Sequence, residues 1–263
     1  MAESSLRARL VVLFALVLMV LPVCAVVLNA FATEWSGTIL PAGFTLQWFD
    51  RVVGDPAFRA AIGRSVIVAL GALVLSAAVT IPAVIVGHLY WPRLDGWLGR
   101  FVVIHYALPA VVLVVGYYRL YSGWPLPLNG TPYILFLAYV PIFFPLLYIS
   151  MKNGLSALPT ADFLAAGRLL GASDLTIIRR VILPSIMPAI LIGLVLNFAL
   201  GISEFVFANM LVGGHFETLQ IYMFKQRQAS GRITSVVVAA YFIVMLVGTA
   251  LALLLIGRRD TQR

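Results

Sequence analysis

Charge is what this chain has least of. Only 11% of its 263 residues are charged and 62% are hydrophobic, where a soluble domain carries roughly 25% charged residues. Ten acidic and eighteen basic side chains cannot coat a water-soluble core of this size, which excludes a soluble enzyme, a secreted scaffold and a disordered segment. A single cysteine, Cys24, excludes intrachain disulfides and cysteine-rich metal sites. Lysine occurs only at Lys152 and Lys225, after Met151 and Phe224, so there is no glycine–lysine phosphate loop and no ATP hydrolysis by that route. Three scattered histidines, His88, His105 and His215, read as incidental rather than as metal ligands. No Ser/His/Asp set or carboxylate pair stands at one depth, so no catalytic residue and no cofactor are assigned to the chain. Its net charge of +8 reads as loop charge orienting it in a bilayer, with no nucleic-acid partner.

What the chain has in quantity is long apolar runs. Hydrocarbon about 30 Å thick needs about 20 apolar residues per crossing. Six spans are expected, at 10–31, 65–89, 101–121, 133–151, 186–211 and 233–256, with Pro82, Pro109, Pro141 and Pro145 inside helices. The fold class is therefore an all-α membrane protein, a single transmembrane domain over 1–263. The first run could also be a cleaved signal, since Ala30-Phe31-Ala32 offers a small-x-small site, but its 22 apolar residues exceed the usual signal core. With six spans, both termini share one side with 91–100 and 152–185. That side holds eleven of the eighteen bases, among them Arg93, Arg100, Lys152, Arg168, Arg258, Arg259 and Arg263, which places it in the cytoplasm. On the other side, Asp55-Pro56 marks a turn and helix start. The aromatics of 32–64, Trp35 and Trp48 among them, read as interfacial anchors.

The longest loop on the cytoplasmic side, 152–185, reads as two short helices joined at a glycine. Pro159-Thr160 starts the first, with Thr160 as N-cap and Asp162 in the first turn, suited to the helix dipole. Ala165, Ala166 and Gly167 remove side-chain bulk over one turn, beside apolar Phe163, Leu164 and Leu170. Gly171 ends the helix in a left-handed conformation. Ser173 caps the second helix, whose apolar stripe is Leu175, Ile178 and Ile182. Pro184 and Pro188 mark the junction with the fifth span. A first helix of this kind either packs on its own bundle or docks into a partner.

The run Ala165-Ala166-Gly167-x-x-x-Gly171-Ala172-Ser173, followed by Ile182-Leu183-Pro184, resembles the EAA loop of permease subunits of binding-protein-dependent ABC importers of the MetI-like type. The family's glutamate falls on Ala165 and its second alanine on Gly167, and Asp162 is the only carboxylate in that first helix. The resemblance implies a six-helix permease with a cytoplasmic coupling helix at 160–172, in the inner membrane of a bacterium. It implies a second permease subunit, identical or homologous, two ATP-binding subunits carrying ATP and magnesium, and a periplasmic solute-binding protein. Asp162, Phe163, Leu164, Ala165, Ala166, Gly167, Leu170, Gly171 and Pro184 would then form the ATPase-coupling element.

Polar groups within a span are costly and functional by default. In the fifth span Asn197, Gly201, Glu204 and Ala208 lie three or four residues apart, hence on one face, with Asn209 beside them. That face is expected to line the translocation pathway, Glu204 suiting a cationic solute. Alternatively Glu204 is paired with Arg119 or solvated. Within the family, Gly201-Ile202-Ser203-Glu204-Phe205-Val206 and Leu211-Val212-Gly213-Gly214 look most like the branch serving polyamines, aminoethylphosphonate and ferric ion. A polyamine or similar organic cation is the expected solute. The competing class is an ion-gradient-driven secondary transporter, against which stand the lack of an internal repeat and the presence of one intramembrane acid.

Overall fold

The computed structural model describes residues 2–35, 38–123, 125–229 and 231–260; Arg263, counted among the orientation charges, lies outside them. Every regular element among these residues is helical, apart from an isolated bridge between Ala32 and Phe44. The helices are α1 (Ala2–Phe31), α2 (Gln47–Gly54), α3 (Pro56–Leu89), α4 (Pro92–Ala107), α5 (Ala110–Leu120), α6 (Tyr133–Ser156), α7 (Thr160–Leu169), α8 (Asp174–Ile177), α9 (Leu183–Ser185), α10 (Met187–Ser203), α11 (Val206–Leu211), α12 (Leu219–Ala229) and α13 (Gly231–Asp260). Four described helices are long and apolar enough to cross a bilayer, or up to six if each of two bent pairs is one span. From Leu10 to Leu21 α1 is apolar all round, and its large side chains are exposed, as a helix immersed in lipid requires.

Proline breaks one expected span and leaves others whole. Pro82 sits inside α3, and Pro141 and Pro145 inside α6. At Leu108–Pro109 the expected third span instead breaks into α4 and α5, bent by 105°. Leu108 takes an extended conformation (ψ 126°), as a residue before proline prefers, and Pro109 becomes the cap of α5. The expected fifth span also breaks: α10 stops at Ser203, Glu204 is extended, and α11 starts at Val206.

The chain divides into two compact units, residues 1–60 with 222–246 and residues 61–221 with 247–263. In the first, Asp55 starts α3 as expected, accepting the Ala57 amide at 2.8 Å, and it also accepts the Tyr222 hydroxyl at 2.7 Å. Trp48 is tied into this unit. Its indole donates to the Ala32 carbonyl at 3.0 Å, and the Arg232 guanidinium lies 5.4 Å from its ring centre.

The second unit is organised by α10 lying along α6. Gly193 and Gly201 carry this contact. A Cβ on Gly193 would come within 3.2 Å of the Leu147 Cα, and one on Gly201 within 2.7 Å of the Phe143 ring. Between them Asn197, fully buried, donates to the Phe143 carbonyl at 2.7 Å. Small residues flanking a polar contact are how helices associate where lipid removes the hydrophobic drive. Ile134, Leu135, Tyr139, Phe143, Phe207 and Leu211 form the core beside this seam. Overpacking it by Gly193→Leu is expected to cost about 1–3 kcal/mol, read as a lowered thermal unfolding midpoint in detergent. Gly63→Leu, where nothing lies within 4 Å of the built Cβ, should leave that midpoint in place.

Candidate functional site

The loop between α6 and α10 holds the candidate coupling element. α7 starts at Thr160, with Pro159 in the cap position and no side-chain cap bond. Thr160 is thus not the N-cap expected from sequence; its hydroxyl lies 3.4 Å from His88 Nε2 instead. Asp162 occupies the first turn, and Gly171 ends the helix at φ +77°. The Ala172 amide donates to the Gly167 carbonyl and the Gly171 amide to that of Arg168, both at 3.0 Å. This is the paired bonding of a Schellman ending, which satisfies carbonyls a helix end leaves open.

Two opposite faces emerge from the run without bulk. Leu164 is buried, Phe163 is half-buried, and Gly167 meets α8 so closely that a Cβ there would lie 2.5 Å from the Ile177 side chain. Gly167 is therefore small for the sake of its own subunit. Asp162, Ala165 and Ala166 are exposed on the other side, and Leu169 and Leu170 stand 89% and 87% exposed. Leu170 and Gly171 thus lie on the outward side, while Pro184 is half-buried within α9.

Beyond α7, Ser173 caps α8 by accepting the Thr176 amide, as expected. The apolar stripe differs from expectation: Leu175 is 62% exposed, while Ile177 and Ile182 are buried and Ile178 is half-buried. A π-helical turn at Ile178–Ile182 is the cause, because its i→i+5 bonding shifts the buried face to residues five apart. α9 and α10 then meet across Ile186, and the 174–185 segment bends 64° from α10.

Polar contacts missed in sequence brace this loop. Arg168, read only as an orientation charge, makes a bidentate pair with Asp174, Nε to Oδ1 at 2.8 Å and Nη2 to Oδ2 at 2.7 Å. The Tyr90 hydroxyl donates to the same carboxylate at 2.8 Å. Hydrogen bonds from Arg168 and then Tyr90 lower the Asp174 pKa to about 2. A carboxylate lowered in this way contributes its stabilisation fully above its ordinary range near 4 and loses it only as pH falls toward 2. The brace therefore persists at any physiological pH. Lys152 pairs with Asp95, which also accepts the Tyr148 hydroxyl at 3.2 Å, and His88 lies within 3.5 Å of Lys152. His88 and Lys152 thus belong to a defined cluster. Only a long-range contact map could have revealed it.

The candidate pathway face divides as well. Asn197, Gly201 and Ala208 are buried, the first two against α6, so they present no side chain to an open surface of this subunit. Asn209 is exposed. Glu204 is half-buried and spans the α10–α11 break: its carboxylate accepts the Phe207 and Ala208 amides at 3.0 and 3.1 Å and the Tyr139 hydroxyl at 3.1 Å. It caps the start of α11 by accepting its open amides; Arg119 is not among these partners. Near the other break, a cavity of about 150 Å³ is lined by Phe101, His105, Tyr117 and Phe207 among others.

A helical, lipid-exposed chain with paired helix breaks and a braced loop after α6 defines a polytopic membrane protein. The chain belongs to the family described as binding-protein-dependent transport system inner membrane component, which matches residues 80–260. It is a permease subunit of an ABC importer, not an enzyme. It is 26% identical over 230 residues, 86% of each chain, to a protein of Salmonella typhimurium named as a 2-aminoethylphosphonate transport system permease. It is also 26% identical to a spermidine/putrescine transport system permease protein of Haemophilus influenzae, over 92% of this chain and 93% of the relative. In fold it is similar to a chain of a bacterial ABC transporter involved in import of the acidic polysaccharide alginate. The TM-score is 0.72 at 17% identity over 95% of both chains. The inward-facing MetNI methionine ABC transporter matches at TM-score 0.59 and 12% identity, over 80% of this chain and 96% of that one.

Removing the α11 cap by Glu204→Ala is expected to cost about 1–3 kcal/mol, the penalty for leaving buried donors without a partner. The check is the unfolding midpoint in detergent, with Tyr139→Phe, which removes one of the three bonds, costing less.

Proposed function

We propose that this permease passes a small solute bearing a primary ammonium group from a periplasmic binding protein to the cytoplasm, driven by two ATPase subunits that seat on the outward face of α7. The reading of α7 is carried by one observation: two adjacent leucines, Leu169 and Leu170, stand almost fully exposed at the end of a helix whose other face is packed and braced. An apolar pair held rigidly outward suits a partner groove. Ala165 and Ala166 keep the neighbouring surface low, and Asp162 supplies the one carboxylate of that helix in place of the family's glutamate. α7 then faces the cytoplasm with both termini, in the inner membrane, and ATP with magnesium binds on the ATPase subunits.

The solute class is the chemistry common to the relatives' names, since 2-aminoethylphosphonate, spermidine and putrescine all carry a primary amine. Within this subunit, the α10–α11 break borders the pathway, with Glu204 and Asn209 as its polar groups. Asn197, Gly201 and Ala208 serve it by holding α10 and α11 in place. A second permease subunit supplies the facing wall.

Leu169→Asp combined with Leu170→Asp replaces the outward pair with charge while leaving the packed face untouched. Withdrawing two leucines worth about 1.5–3 kcal/mol each from an interface should cut co-purification of the ATPase subunit more than tenfold and abolish uptake. The variant subunit itself should still insert. Co-purification at the wild-type level would overturn the assignment.

A further inference from the structure

The corner between α3 and α4, residues 88–95, contacts the 152–185 loop at both ends of α7. At the first turn, Thr160 Oγ1 lies 3.4 Å from His88 Nε2. At the last turn, Arg168 grips Asp174, and Asp174 takes the Tyr90 hydroxyl at 2.8 Å. A ten-residue helix is about 15 Å long, so two attachments at its ends fix its direction as well as its position. The corner itself is tight: a Cβ on Gly87 would lie 3.2 Å from the Asp95 amide nitrogen. Asp95 is bonded by Lys152 and Tyr148 of α6, and Phe101 of α4 packs edge-on against Phe144 of α6 with ring centres 5.3 Å apart. From this corner α4 runs to Leu108–Pro109, where the helix leaves its axis by 105°.

We propose that α7, the 88–95 corner, α4 and the end of α6 that holds Asp95 move as one block hinged at Leu108–Pro109, with Tyr90 and Asp174 as positioning residues that carry motion of α7 into the broken span. This rests on the reading of α7 as the coupling helix. It adds a second output to that helix: besides pulling on α10 through its own chain, α7 drives a non-adjacent span through side chains. The hydroxyl of Tyr90 is the cleanest point to cut, because the ring is 45% exposed and its loss removes one hydrogen bond and no packing.

The test uses the assembled complex in lipid, with Cys24→Ala to remove the native thiol and a spin label on Val103→Cys, an exposed position of α4. The readout is the change in the label's signal when a non-hydrolysable ATP analogue is added, so no solute is needed. The label should respond in the otherwise native complex. Tyr90→Phe should shrink the response about fivefold, the weight of one ordinary hydrogen bond in a two-state balance, with the ATPase subunits still bound. Tyr90→Lys, which offers Asp174 a donor of similar reach, should restore it. An undiminished response in Tyr90→Phe, no response before that change, or loss of assembly in Tyr90→Phe would each overturn the proposal. Absence of any ATPase subunit from the unmutated complex would instead overturn the coupling reading beneath it.

Discussion

Hydrocarbon offers a peptide group no hydrogen bond, so each stretch of backbone within it must satisfy itself. The long helices are the direct answer, and the interruptions are where the constraint becomes visible. At Leu108–Pro109 the break falls on the residue type that has no amide hydrogen to leave unpaired. At Ser203–Val206 the open amides of α11 are met by the Glu204 carboxylate, itself steadied by Tyr139. At Ile178–Ile182 the helix widens into a π turn and keeps its bonds while re-aiming its side chains. An acid within the apolar fifth segment is thus explained first by backbone chemistry, and any role toward solute is added to that duty.

The loop after α6 shows one short helix serving two surfaces. Its inward face depends on a missing side chain, since Gly167 lets Ile177 close on the backbone. Its outward face depends on two leucines that the subunit does not cover. A Schellman ending and the Arg168–Asp174 pair hold the turn between α7 and α8, so the exposed pair has a fixed direction.

Much of this was legible in the sequence because it is local. Apolar run lengths gave the membrane class, Gly171 gave the helix end, Ser173 the cap of α8, and Asp55-Pro56 the start of α3. What stayed hidden depends on partners distant in sequence. The smallness of residues 165–167 looked like one property and is two, because nothing in the sequence says that Ile177 lies against Gly167 alone. Asn197 and Glu204 shared a helical face on paper. The break at Glu204 and the approach of α6 turned that face into a seam and a cap. Gly193 carries the α6 contact without belonging to any motif. The tie from Tyr90 to Asp174 spans 84 residues, beyond what spacing can reveal.

The outward leucines also bear on how such a subunit is supplied. On the docking proposed for α7, a subunit made without its partners would hold two adjacent bare leucines uncovered on a rigid stalk. If α7 docks as proposed, a need for balanced synthesis of the separate polypeptides follows from the end of one ten-residue helix.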